Sequence, residues 1–304
     1  MDRSDITLER MRTFVRVAER GNLSAVAREL GTGQSTVTRH LRELEEAVGA
    51  SLLSRTTRRV ALTEEGGRYY DQCIHILRLV EQAADGVRDT HDALSGTVRL
   101  SCTAALGVMH IARLIFAFQK NHPGINVDLS LTDERIDLVK EGVDIALRLG
   151  PLADSSMKLH HLAESTRLLV AAPGYLDLHG RPVKPADLAA HNVIRMSNVA
   201  GSEAMTLVGP DGARHTVSVK GDLKVDHGLA AREAFRSGRG IGSAHRWLVD
   251  DLLANGELEA LLPDHSLPTT PLNMLMVPQR STVGRVRLMI DYLVGEIRRL
   301  PGMS

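Results

Sequence analysis

The chain has 304 residues, 43% of them hydrophobic, and its 37 basic and 37 acidic side chains give a formal net charge of zero. That length fits two or three compact units with full cores rather than one small domain. Aromatic residues make up only 3%, which argues against a nucleic-acid surface of base-stacking rings, and no run of about eighteen apolar residues is present to span a membrane.

Met1-Asp-Arg-Ser-Asp5 lacks the apolar core of a signal peptide, so a cytoplasmic location is expected. Thr7 to Arg20 predicts a first helix with Leu8, Met11, Phe14, Val15 and Ala18 on its inner face. Leu23 to Leu30 predicts a second, burying Val26, Ala27 and Leu30 and stopping at Gly31, a residue suited to a left-handed helix end. After a turn of about three residues, Val37, Leu41, Leu44 and Val48 draw an apolar stripe down a third helix. Ser35, Thr38, Arg39 and Arg42 fall on its opposite face. Two helices joined this tightly form a helix-turn-helix, whose second helix can lie in the DNA major groove. Hydroxyls and arginines suit that face, since hydroxyls reach phosphates or base edges and arginine pairs bidentately with guanine.

A polar helix face is also what any solvated helix shows, so the following residues matter. Leu52 to Leu62 predicts a hairpin, with Arg55, Arg58 and Arg59 around Thr56 and Thr57 where a wing would touch the DNA backbone. Residues 1–60 carry eleven arginines against eight acids, and no lysine precedes Lys120. The basic surface there is therefore entirely guanidinium, matched in geometry to phosphate and guanine.

Asn22-Leu-Ser-Ala-Val-Ala-Arg-Glu-Leu-Gly31, the run from Gln34 to Gly49, Leu52-Leu-Ser-Arg-Thr56 and Val60-Ala-Leu-Thr-Glu-Glu-Gly66 resemble the winged helix-turn-helix of LysR-type transcriptional regulators. Length and domain order agree over essentially the whole chain. Gly33-Gln34-Ser35 stands where the family often has Ser-Gln-Pro, and Leu52-Leu53 where it often has Leu-Phe. The resemblance implies a regulator that binds double-stranded DNA through Ser24, Gln34, Ser35, Thr36, Thr38, Arg39, Arg42, Arg55 and Arg58. It also implies a small-molecule effector that alters the placement of paired DNA-reading heads, DNA bending and contact with RNA polymerase.

Thr63 can cap a further helix whose first turn carries Glu64 and Glu65. Tyr70, Cys73, Leu77, Val80, Ala84 and Val87 then follow a heptad rhythm that continues to Leu94. Such a stripe serves either as a dimer seam or as a face docked on its own domain; a two-fold DNA reader favours the seam. In the resemblance this is the linker helix through which subunits pair, with a dimer of dimers formed through the C-terminal domains.

From Thr97 short apolar strands alternate with helices, the signal of an α/β domain. Strands are predicted at Val98–Cys102, Ile125–Leu131 and Asp144–Leu149, with helices at Val108–Asn121 and Arg135–Glu141 between them. A second set follows: strands from Leu168 to Ala172 and Val193 to Met196, a hairpin around Pro210-Asp-Gly212, helices Gly228–Arg236 and Arg246–Ala254, and a strand Ile241–Ala244. Leu272–Val277 and the helix Val283–Leu300 then rejoin the first set. The expected domains are 1–63 (winged helix-turn-helix), 64–94 (linker helix) and 95–304 (effector domain, lobe I 95–165 and 271–304, lobe II 166–270). The last resembles the two-lobed fold of type 2 periplasmic binding proteins, and the resemblance implies an effector seated in the cleft between the lobes.

Ligands of such sheets bind beyond the carboxyl ends of strands, near helix N-termini. Thr103, Ala104, Arg148, Ser197, Asn198, Asp226 and His227 occupy such positions and point to a small polar or anionic effector. Each also has a plain role open to it: Thr103 capping its helix, Arg148 pairing with Asp144, Ser197 and Asn198 as loop residues. No His-Glu-x-x-His, Gly-x-Ser-x-Gly, phosphate loop or Cys-x-x-Cys occurs, so neither an enzyme nor a cofactor is expected. Gly238-Arg-Gly-Ile-Gly242 runs into a strand signal instead of opening a helix, unlike a dinucleotide fingerprint. Cys73 and Cys102 are too few and unpatterned for a disulfide framework or zinc site, and are read as buried small residues.

Overall fold

The computed structural model describes residues 6–55, 60–88, 95–134, 138, 141–151, 158–197, 199, 201–278 and 280–304. Apart from residues 140–142, the chain divides into two compact units at residues 91 and 92.

In the first unit, α1 (Leu8–Arg20) is capped by the Thr7 hydroxyl, which accepts the Arg10 amide, and is closed by left-handed Gly21. Its inner face is wider than expected. Leu8 is exposed, whereas Thr13 and Val17 are buried with Met11, Phe14 and Val15. The physical reason is that α1 is the hub, packed against the helices α2 (Leu23–Glu29), α3 (Gln34–Val48) and α4 (Glu64–Arg88). Val37, Leu41 and Leu44 of α3 are 0–1% exposed, so the stripe read from the sequence is the face that meets α1 and α2. Between α3 and α4, β1 (Leu53–Arg55) pairs antiparallel with β2 (Val60–Leu62), Leu53 opposite Leu62. The Glu45 carboxylate fastens the approach to this hairpin by accepting the Leu52 and Leu53 amides at 2.8 and 3.1 Å. Thr63 caps α4, accepting the Gly66 amide at 2.9 Å.

Among its described residues the second unit holds four sheets, a five-stranded one in lobe I and a three-stranded and two two-stranded ones in lobe II. In lobe I, β3 (Gly96–Cys102) lies parallel to both β4 (Ile125–Leu131) and β5 (Ile145–Leu149). The helix after β3 runs as α5 (Ala104–Leu106), a π-turn (Gly107–Ile111) and α6 (Ala112–Asn121). The helix expected over Arg135–Glu141 lies largely outside the described residues. An edge strand that sequence reasoning did not identify, β6 (Lys158–Ser165), pairs with β14 (Thr270–Met276). A register shift at Leu162 explains why: the bulge breaks the two-residue alternation that marks a strand.

Lobe II is built on β7 (Arg167–Ala171), followed by α7 (Pro173–His179), the two-residue β8 (Arg195–Met196), the hairpin β9 (Ala204–Val208) and β10 (Arg214–Ser218), and β11 (Lys224–Val225). Then come α8 (Gly228–Arg236), β12 (Gly242–His245), α9 (Arg246–Ala254) and β13 (Glu259–Leu261). β7 is central between β12 and β13, and β11 lies parallel to β8. The chain returns through β14, antiparallel to β5 and β6, and closes on α10 (Gly284–Ile297). Lobe I therefore has the order β4-β3-β5-β14-β6, and the two lobes are joined by the β6–β7 and β13–β14 crossings.

Candidate nucleic-acid interface and effector seat

Ser24 lies in the first turn of α2 and Gln34 opens α3; the Ser24 hydroxyl donates to Gln34 Oε1 at 3.0 Å. This ties the two helix starts together and orients the Gln34 amide on the outer surface. Ser35, Arg39 and Arg42 are exposed beside it, while Thr36 and Thr38 are half-buried and the Thr38 hydroxyl donates to the Gln34 carbonyl at 3.0 Å. Arg39 and Arg42 are 60% and 65% exposed and face Glu43 and Glu46 one turn on, at 4.0 and 3.7 Å. Pairs so long and so wet are worth a few tenths of a kcal/mol at most. Glu43 is also drawn to Arg10 at 2.6 Å, so Arg39 keeps its charge for an outside acceptor. Behind the face, the Thr13 hydroxyl and His40 Nδ1 meet at 3.1 Å and fix α3 on α1. Arg55 closes β1, and Arg58 lies outside the described residues.

The heptad stripe divides. Cys73 is fully buried in the core of its own domain, and Tyr70 and Leu77 are partly buried against the same cluster. The first turns of α4 thus dock on α1, and the Tyr70 hydroxyl donates to Glu19 at 3.3 Å. Cys73 is corrected from a subunit seam to an internal core position, because the same three-and-four spacing serves any partner helix. Val80 is half-buried and Leu79 exposed; Ala84 and Val87 continue α4 with side chains outside the description. Burial pushes the thiol of Cys73 up to about 11 and that of Cys102 up to about 12, the opposite of what a reactive thiolate needs.

In the second unit the Ala104 amide, read as an anion donor, already donates to Asp133 Oδ1 at 3.1 Å. Asp133 Oδ2 lies 4.0 Å from His227 Nε2. His227 caps α8, its Nδ1 accepting the Leu229 amide at 3.2 Å, which leaves the Nε2 hydrogen aimed across from lobe II to the lobe I carboxylate. The Thr103 hydroxyl makes no cap bond to its helix. Arg148 donates to the Ser101 hydroxyl at 2.7 Å and to the Leu147 carbonyl at 3.1 Å. It does not pair with Asp144, which accepts the Arg99 amide at 2.8 Å and lies 3.5 Å from Arg280. Ser197 and Asp226 are exposed, and Asn198 lies outside the described residues.

Sequence reasoning missed two other groups. A cavity of about 210 Å³ in lobe II is lined by Arg167, Arg195, Met196, Met205, Phe235 and Ser243, among others; one signal for it was a cation opening an otherwise apolar strand, Arg167-Leu-Leu-Val-Ala171. The second group sits at the β6–β7 crossing. Trp247 Nε1 donates to the buried Ser165 hydroxyl at 3.0 Å, His245 Nδ1 lies 2.8 Å from the same oxygen, and His110 Nε2 meets the Trp247 carbonyl at 2.9 Å. Burial first, and then the Arg167 charge, push His245 down to about 3.

The folded pKa of His245 is thus below the unfolded value of about 6.5, so its contribution to stability is complete above that pH and is lost as pH falls toward 3. Chemical denaturation is expected to show about 2 kcal/mol lost between pH 6.5 and 5, a window above the depressed carboxylates. His245→Gln should flatten that slope, leaving the part due to His191, which burial also holds low, and the opposing part due to Asp144, whose carboxyl burial holds above its usual range.

Among the described residues no three His, Cys, Asp or Glu side chains are grouped to hold a metal, and no helix is long and apolar enough to cross a membrane.

Comparison with known proteins agrees with both halves. Residues 8–67 match the bacterial regulatory helix-turn-helix model of the lysR family, and residues 91–298 match the LysR substrate binding domain. The regulator CrgA of Neisseria meningitidis is 31% identical over 290 residues, covering 95% of this chain and 96% of that protein. DmlR of Escherichia coli is 30% identical over 94% of this chain and 93% of its own length. Among solved structures, the Vibrio cholerae virulence activator AphB superposes with a TM-score of 0.65 at 26% identity, covering 95% of this chain and 99% of that one. CrgA superposes at 0.62 with 30% identity, covering 96% and 99%. A helix-turn-helix head presenting an oriented polar helix, followed by a two-lobed α/β ligand-binding unit, makes this chain a member of the LysR family of DNA-binding transcriptional regulators.

Proposed function

We propose that the chain is a cytoplasmic, sequence-specific regulator in which Gln34, Ser35, Thr38 and Arg39 face the major groove. The wing arginines Arg55 and Arg58 hold the DNA backbone, and a small polar or anionic metabolite in the second unit sets the output. The observation that carries this reading is the Ser24–Gln34 hydrogen bond at 3.0 Å: it fixes the start of α3 with Ser35 and the arginines outward, where a solvated surface helix would need no such brace. Subunits pair through the part of α4 beyond Leu77, and pairs of dimers assemble through the second units. Effector binding shifts the relative placement of the heads, and with it DNA bending and contact with RNA polymerase; no metal or organic cofactor takes part.

Footprinting on the DNA upstream of the chain's own gene tests it. Protection of two half-sites separated by one or more helical turns is expected of a two-fold reader. A single uninterrupted patch, or protection equal to that on unrelated DNA, would contradict the reading.

A further inference from the structure

We propose that the lobe II cavity lined by Arg167, Arg195 and Ser243 is the seat of a small monocarboxylate with an apolar body, so that these side chains, rather than the Ala104 amide, receive the anion. This rests on the reading of the second unit as ligand-controlled.

Arg167 is largely buried, yet its partner is a neutral one, the Ser243 hydroxyl at 2.6 Å, and burial alone pulls its pKa down. Elsewhere in the unit, Arg232 grips Asp251 through two bonds of 2.6 Å, and Arg280 lies 3.5 Å from Asp144. A buried cation without a carboxylate is costly, and such a cost persists where function needs it.

Arg195 lines the same cavity. Its Nη2 donates to the Gly221 carbonyl at 2.9 Å, while its Nε is buried with no hydrogen-bond partner. Glu203 is 3.8 Å from its Nη1 but is 63% exposed and meets Lys224 at 3.2 Å, so it leaves the cavity side of Arg195 unmatched. A ligand carboxylate can accept two parallel N–H bonds from a guanidinium, and Met196, Met205 and Phe235 offer an apolar wall for its body. A volume of about 210 Å³ suits a compact acid. The competing seat is already filled from within, since the Asp133 carboxylate occupies the Ala104 amide and would repel an incoming anion.

Calorimetric titration of the full chain with hexanoate and benzoate, against hexanamide and benzamide, tests the seat. At least one carboxylate is expected to bind saturably and about tenfold or more tighter than its amide. Arg167→Gln should weaken it by about tenfold or more, and Arg148→Gln by less than about twofold. A second readout needs no ligand: in anion-free buffer Arg167→Met should raise the thermal midpoint, because it removes an uncompensated buried charge. No saturable binding of either acid into the millimolar range, equal binding of acid and amide, dependence on Arg148 in place of Arg167, or a lowered midpoint in Arg167→Met would each overturn the proposal. The same preparations are assayed on their own upstream DNA: retained DNA preference with a failed titration removes this seat alone, whereas absent DNA preference in the wild type removes the reading beneath it.

Discussion

Gly66→Ala is expected to unfold the DNA-binding unit, with a loss of about 3 kcal/mol or more read by denaturant titration. Gly66 sits in the first turn of α4, where a Cβ would lie 1.9 Å from the Leu52 carbonyl oxygen and 2.9 Å from its carbon. That oxygen accepts the Thr63 amide at 3.1 Å as the hairpin hands over to α4, so it cannot retreat without breaking the joint. Alanine would favour the helix by about 1 kcal/mol over glycine, but overpacking against backbone costs about 1–3 kcal/mol and more where nothing can yield; the clash wins. Gly67 provides the control. A Cβ there meets nothing within 4 Å, so Gly67→Ala should be neutral or stabilising by up to about 1 kcal/mol. A unit as stable in Gly66→Ala as in wild type would mean that the hairpin and α4 do not meet as described.

Arg39→Ala is expected to remove about 1–3 kcal/mol of discrimination at one base pair, measured by competition between the operator and single-base variants. The guanidinium is 60% exposed, centred on the outward face, and opposed among the described residues only by a Glu43 oxygen at 4.0 Å, so its loss leaves the fold of the head almost untouched. Arg58→Ala, in the wing, should by contrast weaken all sequences alike and lower the salt slope by about one. Equal losses on specific and random DNA for Arg39→Ala would make it a phosphate contact, and recognition would then fall to Gln34 and Ser35.

What the sequence made legible were features local in the chain. The α3 stripe, the Thr63 cap, and the helices from Gly228 and Arg246 are each written in residues within four positions of one another, and the structure places them where those residues indicate. Features that depend on distant partners were not legible. Cys73 belongs to a stripe that fits either a second subunit or α1, and only the packing of α1 as a hub decides between them. Asp133 reaches Ala104 across 29 positions, so no spacing rule announces that the helix N-terminus is already satisfied. Asp144 stands near Arg148 in sequence yet pairs with Arg280, 136 positions away, because four residues of extended chain hold Asp144 and Arg148 about 13 Å apart and the chain that leaves β14 brings Arg280 beside Asp144. The strand β6 was hidden by its bulge, and Arg167 read as a strand-opening cation until the cavity beside it appeared.

The measurement that bears most directly on sequence-specific DNA binding is fluorescence anisotropy of the wild-type chain on its own upstream DNA and on shuffled DNA of equal length, each over a range of salt. Tighter binding to the upstream DNA is expected at every salt concentration, with both affinities falling steeply as salt rises, since the arginine-rich head releases counterions from phosphates. Equal affinity for the two DNAs, or binding that does not respond to salt, would contradict it.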